Sequence, residues 1–214
     1  VTGGSARLNA PRVLLVVGVG VLVAALVRQA AGLGRPPHAL AFTLTLVYLG
    51  WLLAEARVTL APRVESTPDD PTLVPYALAR FGTVAAAVLG PLPWVRWAWW
   101  MALPVAAFAG GVALRLWAIR TLGRFYSHRV VHHQEHRVVA TGPYAWVRHP
   151  AYAGMLGAHL GFVAFFLNGY SVAGLALLAA AIAVRIRVED RMLATVPDYP
   201  EYAAGRAGLV PGVW

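Results

Sequence analysis

The sequence predicts an all-α integral membrane protein of about six transmembrane helices (five to six), closing in a C-terminal helical hairpin. Three observations carry that reading. Of 214 residues, 59% are hydrophobic and only 13% are charged, whereas a soluble domain is about a quarter charged. Too little polar surface remains to coat a water-soluble globule. Mean hydropathy is +0.62. Apolar runs recur at 12–31, 39–58, 74–91, 94–121, 151–167 and 170–188, most of them near the roughly 20 residues that a bilayer-crossing helix needs. The length suits a single membrane domain, with N-terminal helices over 1–114 and a more polar region over 115–214.

The first span follows Arg7 and Arg12. Its apolar stretch 13–27 has the outline of a secretory signal, but no small-residue cleavage site leads into a soluble domain, and further spans follow. It is read as a membrane helix. The second span ends near Glu55 and Arg57, which read as interfacial charges. A proline-rich, partly acidic stretch at 62–75 is a loop signal. The third span is the weakest, because Arg80 interrupts it and Gly90-Pro91 stops it; five spans with one re-entrant or surface segment is the competing count. The fourth opens on Trp94, Trp97, Trp99 and Trp100 beside Arg96. Tryptophan favours the headgroup level, so these are read as an interfacial belt. The fifth span is short, and Asn168-Gly169 is a turn that folds it against the sixth. Ala153, Gly157 and Gly161 form a small-residue stripe that lets a helix approach closely; the sixth span is its expected partner. The tail from Pro197 is too polar and proline-broken to span, and Tyr199 and Tyr202 suit a surface segment beneath the helices.

Charge sets the orientation. All basic side chains are arginine, and the net charge is +9. With six spans and both ends inside, the inner segments hold Arg7, Arg12, Arg57, Arg63, Arg120, Arg124, Arg129, Arg137, Arg148, Arg185, Arg187, Arg191 and Arg206. The outer segments hold Arg28, Arg35 and Arg96. That asymmetry follows the positive-inside rule and places the 120–150 stretch and the tail in the cytoplasm. Arginines held at anionic membrane lipids explain the charge; a nucleic-acid partner is not expected, since no basic face on a soluble fold is present. With no cysteine, disulfides, thiolate nucleophiles and cysteine-ligated metals are excluded.

Polar chemistry concentrates in 120–152, RTLGRFYSHRVVHHQEHRVVATGPYAWVRHPAY. Five of the seven histidines fall here: His128, His132, His133, His136 and His149. Lipid cannot satisfy such a segment, so it must meet water or line a cavity. Gly142-Pro143 marks a turn, and Pro150 suits the first turn of a helix, which puts His149 at the helix mouth. His132 and His136 share the four-residue spacing of helical zinc ligands, but no matching carboxylate accompanies them, so no metal is assigned. Arg185 and Glu189 lie one helical turn apart near the inner end of the last span. They read either as an intrahelical ion pair or as a charged pair at a cavity mouth, where ionisable groups at membrane depth usually face.

Taken together, these segments resemble the isoprenylcysteine carboxyl methyltransferase family of membrane enzymes. The matching string runs from Leu122-Gly123-Arg124-Phe125 through His136-Arg-Val-Val139, Gly142-Pro143-Tyr144 and Arg148-His149-Pro150-Ala151-Tyr152-Ala153-Gly154. It ends in Arg185-x-x-x-Glu189 and a tail with Tyr199 and Tyr202, covering about residues 115–211. The resemblance implies S-adenosylmethionine as cofactor, in a cytoplasmic pocket between the 130–152 segment and the last hairpin. It implies cofactor contacts from His136, Arg137, Val138, Val139, Tyr144, His149, Pro150, Ala151, Tyr152 and Glu189, with His132 standing where some members carry a glutamine. It implies catalytic roles for Arg185 and Glu189, with Arg185 also handling the substrate. Glu189-Asp190 departs mildly from a double glutamate in the family.

The residue types suit that chemistry. A tyrosine face attracts a sulfonium cation, Glu189 offsets cationic charge, and Arg185 offers a fork for a carboxylate. A carboxylate acceptor is already anionic, so positioning supplies most of the rate. The acceptor is expected to be prenylated or otherwise lipid-like, to enter from the bilayer, and to be met in a bacterial inner or plasma membrane. The competing reading is an NADPH-dependent membrane reductase of the sterol or steroid type, which shares a related Arg-His-Pro-x-Tyr segment. A non-enzymatic transporter or scaffold fits the concentrated polar segment less well. The methyltransferase reading requires Tyr144, His149 and Glu189 to converge on one side of the bilayer.

Overall fold

Apolar runs become helices here because a backbone in lipid must satisfy its own hydrogen bonds. The computed structural model describes residues 3–60, 70–123 and 138–211. Within them lie α1 (Gly3–Ala30), α2 (Pro36–Leu60), α3 (Leu73–Leu89), α4 (Ala102–Leu122), α5 (Pro150–Phe165), α6 (Gly169–Leu193) and a short α7 (Tyr199–Ala204). Single 3-10 turns sit at Trp99–Met101 and Gly142–Ala145. Among the described residues there is no strand, only one isolated parallel bridge between Val147 and Ala207.

Four segments are long and apolar enough to cross a membrane: Arg12–Ala30, Pro36–Ala56, Trp99–Leu122 and Gly169–Leu193. Helices α3 and α5 are apolar but shorter, with 17 and 16 residues. At 1.5 Å per residue, α5 reaches only about 24 Å, less than the roughly 30 Å hydrocarbon core. Its surroundings explain how it manages. Gly154, Met155, Ala158, His159, Phe162 and Phe165 are all buried in protein, so α5 meets lipid little. Helix α1, in contrast, exposes Val13, Val16, Val17, Val23 and Val27 along its outer face.

The principal packing pairs are α4 with α5, α3 with α6, and α1 with α2 and α3. The small-residue stripe therefore works differently from expectation. It packs on α4 rather than on α6, and the closest register is Gly154, Ala158 and Gly161 against Phe108, Gly111 and Arg115. A Cβ on Gly154 would stand 2.6 Å from the Arg115 amide nitrogen, so only glycine permits this backbone approach. The Asn168 turn does join α5 to α6, through a capping box with Ser171, yet it is also tied to α3 by Asn168 Nδ2 donating to the Ala86 carbonyl at 3.0 Å.

These ties mark one end of the bundle. There Arg28 donates to the carbonyls of Val88, Leu89 and Gly90, closing the end of α3. Trp94 turns inward and donates to the Phe165 carbonyl at 2.7 Å, while Trp97, Trp99 and Trp100 are exposed. Residues 94–98 are not helical, so the fourth span begins later than its hydropathy suggests. The opposite end collects the start of α3, the end of α4, the start of α5 and the end of α6.

Helix α3 forms despite Arg80, because the guanidinium is paired. Its Nη1 lies 3.1 Å from Glu55 Oε2 and its Nε donates to the Tyr48 hydroxyl at 3.1 Å. Glu55 is thus not interfacial: it is 3% exposed, and it also accepts from Arg115 through two contacts at 2.6 and 3.1 Å and from Trp51 Nε1 at 2.7 Å. Tyr48 in turn meets His159 Nε2 at 3.0 Å. Around this polar knot pack Phe108, Phe162 and Phe166 with Met155.

Candidate functional site

The site is built where α5 begins. Pro150 opens the helix and His149 is its N-cap, as the missing proline amide allows. Upstream, Gly142 has φ +57°, a left-handed conformation that glycine adopts without strain. A Cβ there would also lie 3.0 Å from Thr121 Oγ1. The chain therefore turns tightly under the end of α4, and the Gly142–Ala145 turn buries Tyr144 against Ala118 and Ala151.

The tail then clamps this segment from outside. The Arg148 amide donates to the Ala207 carbonyl and the His149 amide to the Gly208 carbonyl, both at 2.9 Å. Tyr202 donates its hydroxyl to the Tyr144 carbonyl at 2.8 Å. Arg206 Nε donates to the Ala145 carbonyl at 3.2 Å, with its guanidinium over the Tyr202 ring. A segment read from sequence as mere surface packing is thus part of the site's wall.

Two adjacent carboxylates on α6 face this region in different ways. Asp190 accepts from three side chains: His149 Nε2 at 2.8 Å, the Tyr199 hydroxyl at 2.6 Å and Arg148 Nη1 at 3.1 Å. Burial, and then the bond to Asp190, push the Tyr199 hydroxyl well above the ordinary phenol range, so it stays protonated and donating. Glu189 is half-buried and, among the described residues, makes no ion pair and no side-chain hydrogen bond. Its charge acts on both Tyr152 and Tyr199.

Arg185, one turn before Glu189, does not form the intrahelical pair. Its Nη1 turns to Asp70 Oδ2 at 3.1 Å and to Thr72 Oγ1 at 2.9 Å. Its Nε donates to the Tyr152 hydroxyl at 3.3 Å, and the guanidinium lies over the Tyr76 ring, 5.1 Å from its centroid. Asp70 is itself fixed by the amide and hydroxyl of Thr72, at 2.9 and 2.6 Å. The start of α3 therefore aims an arginine of α6 across the start of α5.

Most of the expected site residues meet at this end. Val138 packs on Val196, Tyr199 and Tyr202, and Val139 on Tyr144 and Ala151. The His149 and Tyr152 rings lie 5.9 Å apart. Pro150 and Ala151 are buried beneath them, and the Ala151 carbonyl accepts from Arg115 Nη1 at 3.1 Å, linking the site to the deep knot around Glu55. His132, His136 and Arg137, with the histidine-rich stretch to which they belong, lie outside the described residues. Asp190, Asp70, Tyr199 and Tyr202 were not assigned roles from sequence. The acidic doublet and the tyrosine spacing were the available signals; Asp70 offered none, since its partner is 115 positions away.

A family model described as the isoprenylcysteine carboxyl methyltransferase family matches residues 102–195. Protein-S-isoprenylcysteine O-methyltransferase B of Arabidopsis thaliana is 30% identical over 146 residues, covering 64% of this chain and 74% of the plant protein. An uncharacterized Bacillus subtilis protein, YpbQ, is 28% identical over 97 residues, covering 44% of this chain and 56% of that protein's length.

Proposed function

Because the chain belongs to the isoprenylcysteine carboxyl methyltransferase family, we propose that it uses S-adenosylmethionine to methylate the carboxylate of a prenylated or other lipid-like acceptor. The observation that carries the reading is Glu189. A half-buried carboxylate with no cationic partner among the described residues, set beside two tyrosines at the end of a membrane helix, is poised for a positively charged ligand. An uncompensated charge at such depth is costly unless it has a partner.

The described residues fit this cofactor's chemistry. Tyr144 and Tyr152 supply aromatic surface for a cation, and Glu189 offsets ammonium or sulfonium charge. Val139 and Ala151 supply apolar wall for a nucleobase, and His149 supplies a polar edge. When bound, the cofactor supplies an electrophilic methyl group. The chain's own task is then positional. Arg185, held by Asp70, Thr72 and Tyr152, attracts an acceptor carboxylate and fixes its approach. No general base is needed, because that oxygen is anionic already; orientation and partial desolvation lower the barrier. A greasy acceptor tail would enter from the bilayer, and the arginine asymmetry favours a cytoplasmic cofactor side in a bacterial inner or plasma membrane.

The test is direct. Membranes containing the full chain are incubated with S-adenosylmethionine carrying an isotopically labelled methyl group, together with a farnesylated cysteine and total lipid extract. Label should enter lipid-soluble product and leave as methanol on mild alkali, the behaviour of a methyl ester. Base-stable label on lipid amines would replace the carboxyl acceptor with an amine. No transfer, with NADPH consumption instead, would replace methyl transfer with the reductase reading.

A further inference from the structure

We propose that Asp190 is a positioning residue that fixes the tautomer of His149 and fastens the carboxy-terminal segment to the cofactor site; the cofactor part of this inference rests on the methyltransferase reading. A carboxylate only accepts hydrogen bonds. The contact of 2.8 Å between Asp190 Oδ1 and His149 Nε2 therefore requires the ring proton on Nε2. In the neutral ring, Nδ1 is then the acceptor, available to a hydroxyl or amine donor of the ligand. Which nitrogen carries the proton follows from the partner of the other, as in histidines oriented by a carboxylate elsewhere.

The arrangement leaves His149 no freedom to change role. Its side chain is 3% exposed, and its own amide is held by Gly208. Asp190 Oδ1 takes His149 and Tyr199 together, while Oδ2 takes Arg148. One carboxylate thus joins the residue pair before α5 to the residue that opens α7. The tail holds the backbone of Arg148 and His149 through Ala207 and Gly208, and Asp190 holds their side chains.

Exchanging one oxygen for an amide separates positioning from packing. In Asp190→Asn, an amide group facing Arg148 would set donor against donor. The arrangement that avoids a donor–donor clash keeps the oxygen on Arg148 and turns the amide toward His149 and Tyr199, whose hydroxyl then accepts. His149 must then accept at Nε2, and its proton moves to Nδ1. A hydrogen-bond donor then faces the ligand where an acceptor stood. A wrong tautomer in an intact fold is a known route to large functional loss.

The experiment uses the full chain in nanodiscs with ¹⁵N-labelled histidine, the His149 signals being assigned by their loss in His149→Gln. Nitrogen shifts should report Nε2–H in the unsubstituted protein and Nδ1–H in Asp190→Asn. Calorimetry with S-adenosylmethionine should show affinity falling about tenfold in Asp190→Asn, by analogy with other second-layer carboxylates. Asp190→Glu should restore the Nε2–H form and most of the affinity. Tyr199→Phe should keep the tautomer and change affinity less than about threefold, since the bond lost is to Asp190 and not to the ligand, and Asp190 keeps His149 and Arg148. Retention of Nε2–H in Asp190→Asn, or a switched tautomer with unchanged affinity, overturns the proposal; so does an Asp190→Glu protein in the Nδ1–H form. If the unsubstituted protein binds no S-adenosylmethionine, the methyltransferase reading falls, while the nitrogen shifts still decide whether Asp190 sets the tautomer.

Discussion

Among the described residues, Glu55 and Asp190 each accept from three side chains, but they sit in opposite surroundings. Glu55 takes Trp51, Arg80 and Arg115 and is 3% exposed, among aromatic residues in the middle of the bundle. Asp190 takes Arg148, His149 and Tyr199 with its side chain 25% exposed, at the end where the helices reach the tail. Among the described residues, two arginines share the deep carboxylate. It holds α2, α3 and α4 together. The shallow one joins the segment before α5 to the start of α7, and under the methyltransferase reading it serves positioning rather than stability.

The comparison breaks most readily at the deep end. Glu55→Gln should destabilise the fold by about 3–5 kcal/mol, because two guanidinium groups lose their anion in an apolar interior. Thermal or denaturant unfolding in detergent reads this, and an unchanged midpoint would mean that the knot does not hold the helices. Gly154→Val comes next. Its side chain must push α4 away from α5, at a cost of about 1–3 kcal/mol or more, and it should also lower cofactor affinity because Arg115 carries the Ala151 carbonyl. If only stability changes, the deep knot does not shape the site.

Asp70→Asn sharpens the comparison from the other side. It leaves the core untouched but releases Arg185 Nη1 from its charged partner. The acceptor KM should rise about tenfold, the worth of roughly one charge-assisted contact, with cofactor affinity nearly constant. A change in cofactor affinity alone would move Arg185 out of acceptor handling. The smallest effect is expected for Tyr202→Phe, which removes one hydroxyl bond to the Tyr144 carbonyl. About 1 kcal/mol of stability and a modest loss of cofactor affinity should follow, both read by the same melts and titrations.

The spans and the local motif were legible in the sequence because each depends on neighbours in the chain. Hydropathy outlined the four long and two shorter apolar helices, and Pro150 and Asn168 marked the ends of α5. Cross-chain partners were not legible. Nothing near Glu55 announces Arg80 or Arg115, and Arg80 looked like a defect in its span. Arg185 and Glu189 share a helical face, so spacing favoured a pair; the start of α3 offers Arg185 a better-fixed carboxylate, and Glu189 makes no ion pair among the described residues. The stripe on α5 was read one residue off at Ala153 and Gly157, where Gly154 and Ala158 make the closest approach beside Gly161, because spacing shows that small residues recur but not which neighbour they meet. The tail was undervalued because most of its hydrogen bonds run through backbone groups, which leave no mark on composition.

The most direct measurement is calorimetric titration of S-adenosylmethionine into the purified full chain and into Glu189→Ala. One saturable site is expected in the unsubstituted protein, with affinity reduced tenfold or more in Glu189→Ala, about 1.4 kcal/mol or greater. No heat at millimolar cofactor, or equal affinity in the two proteins, would contradict the assignment of this carboxylate to a cationic cofactor.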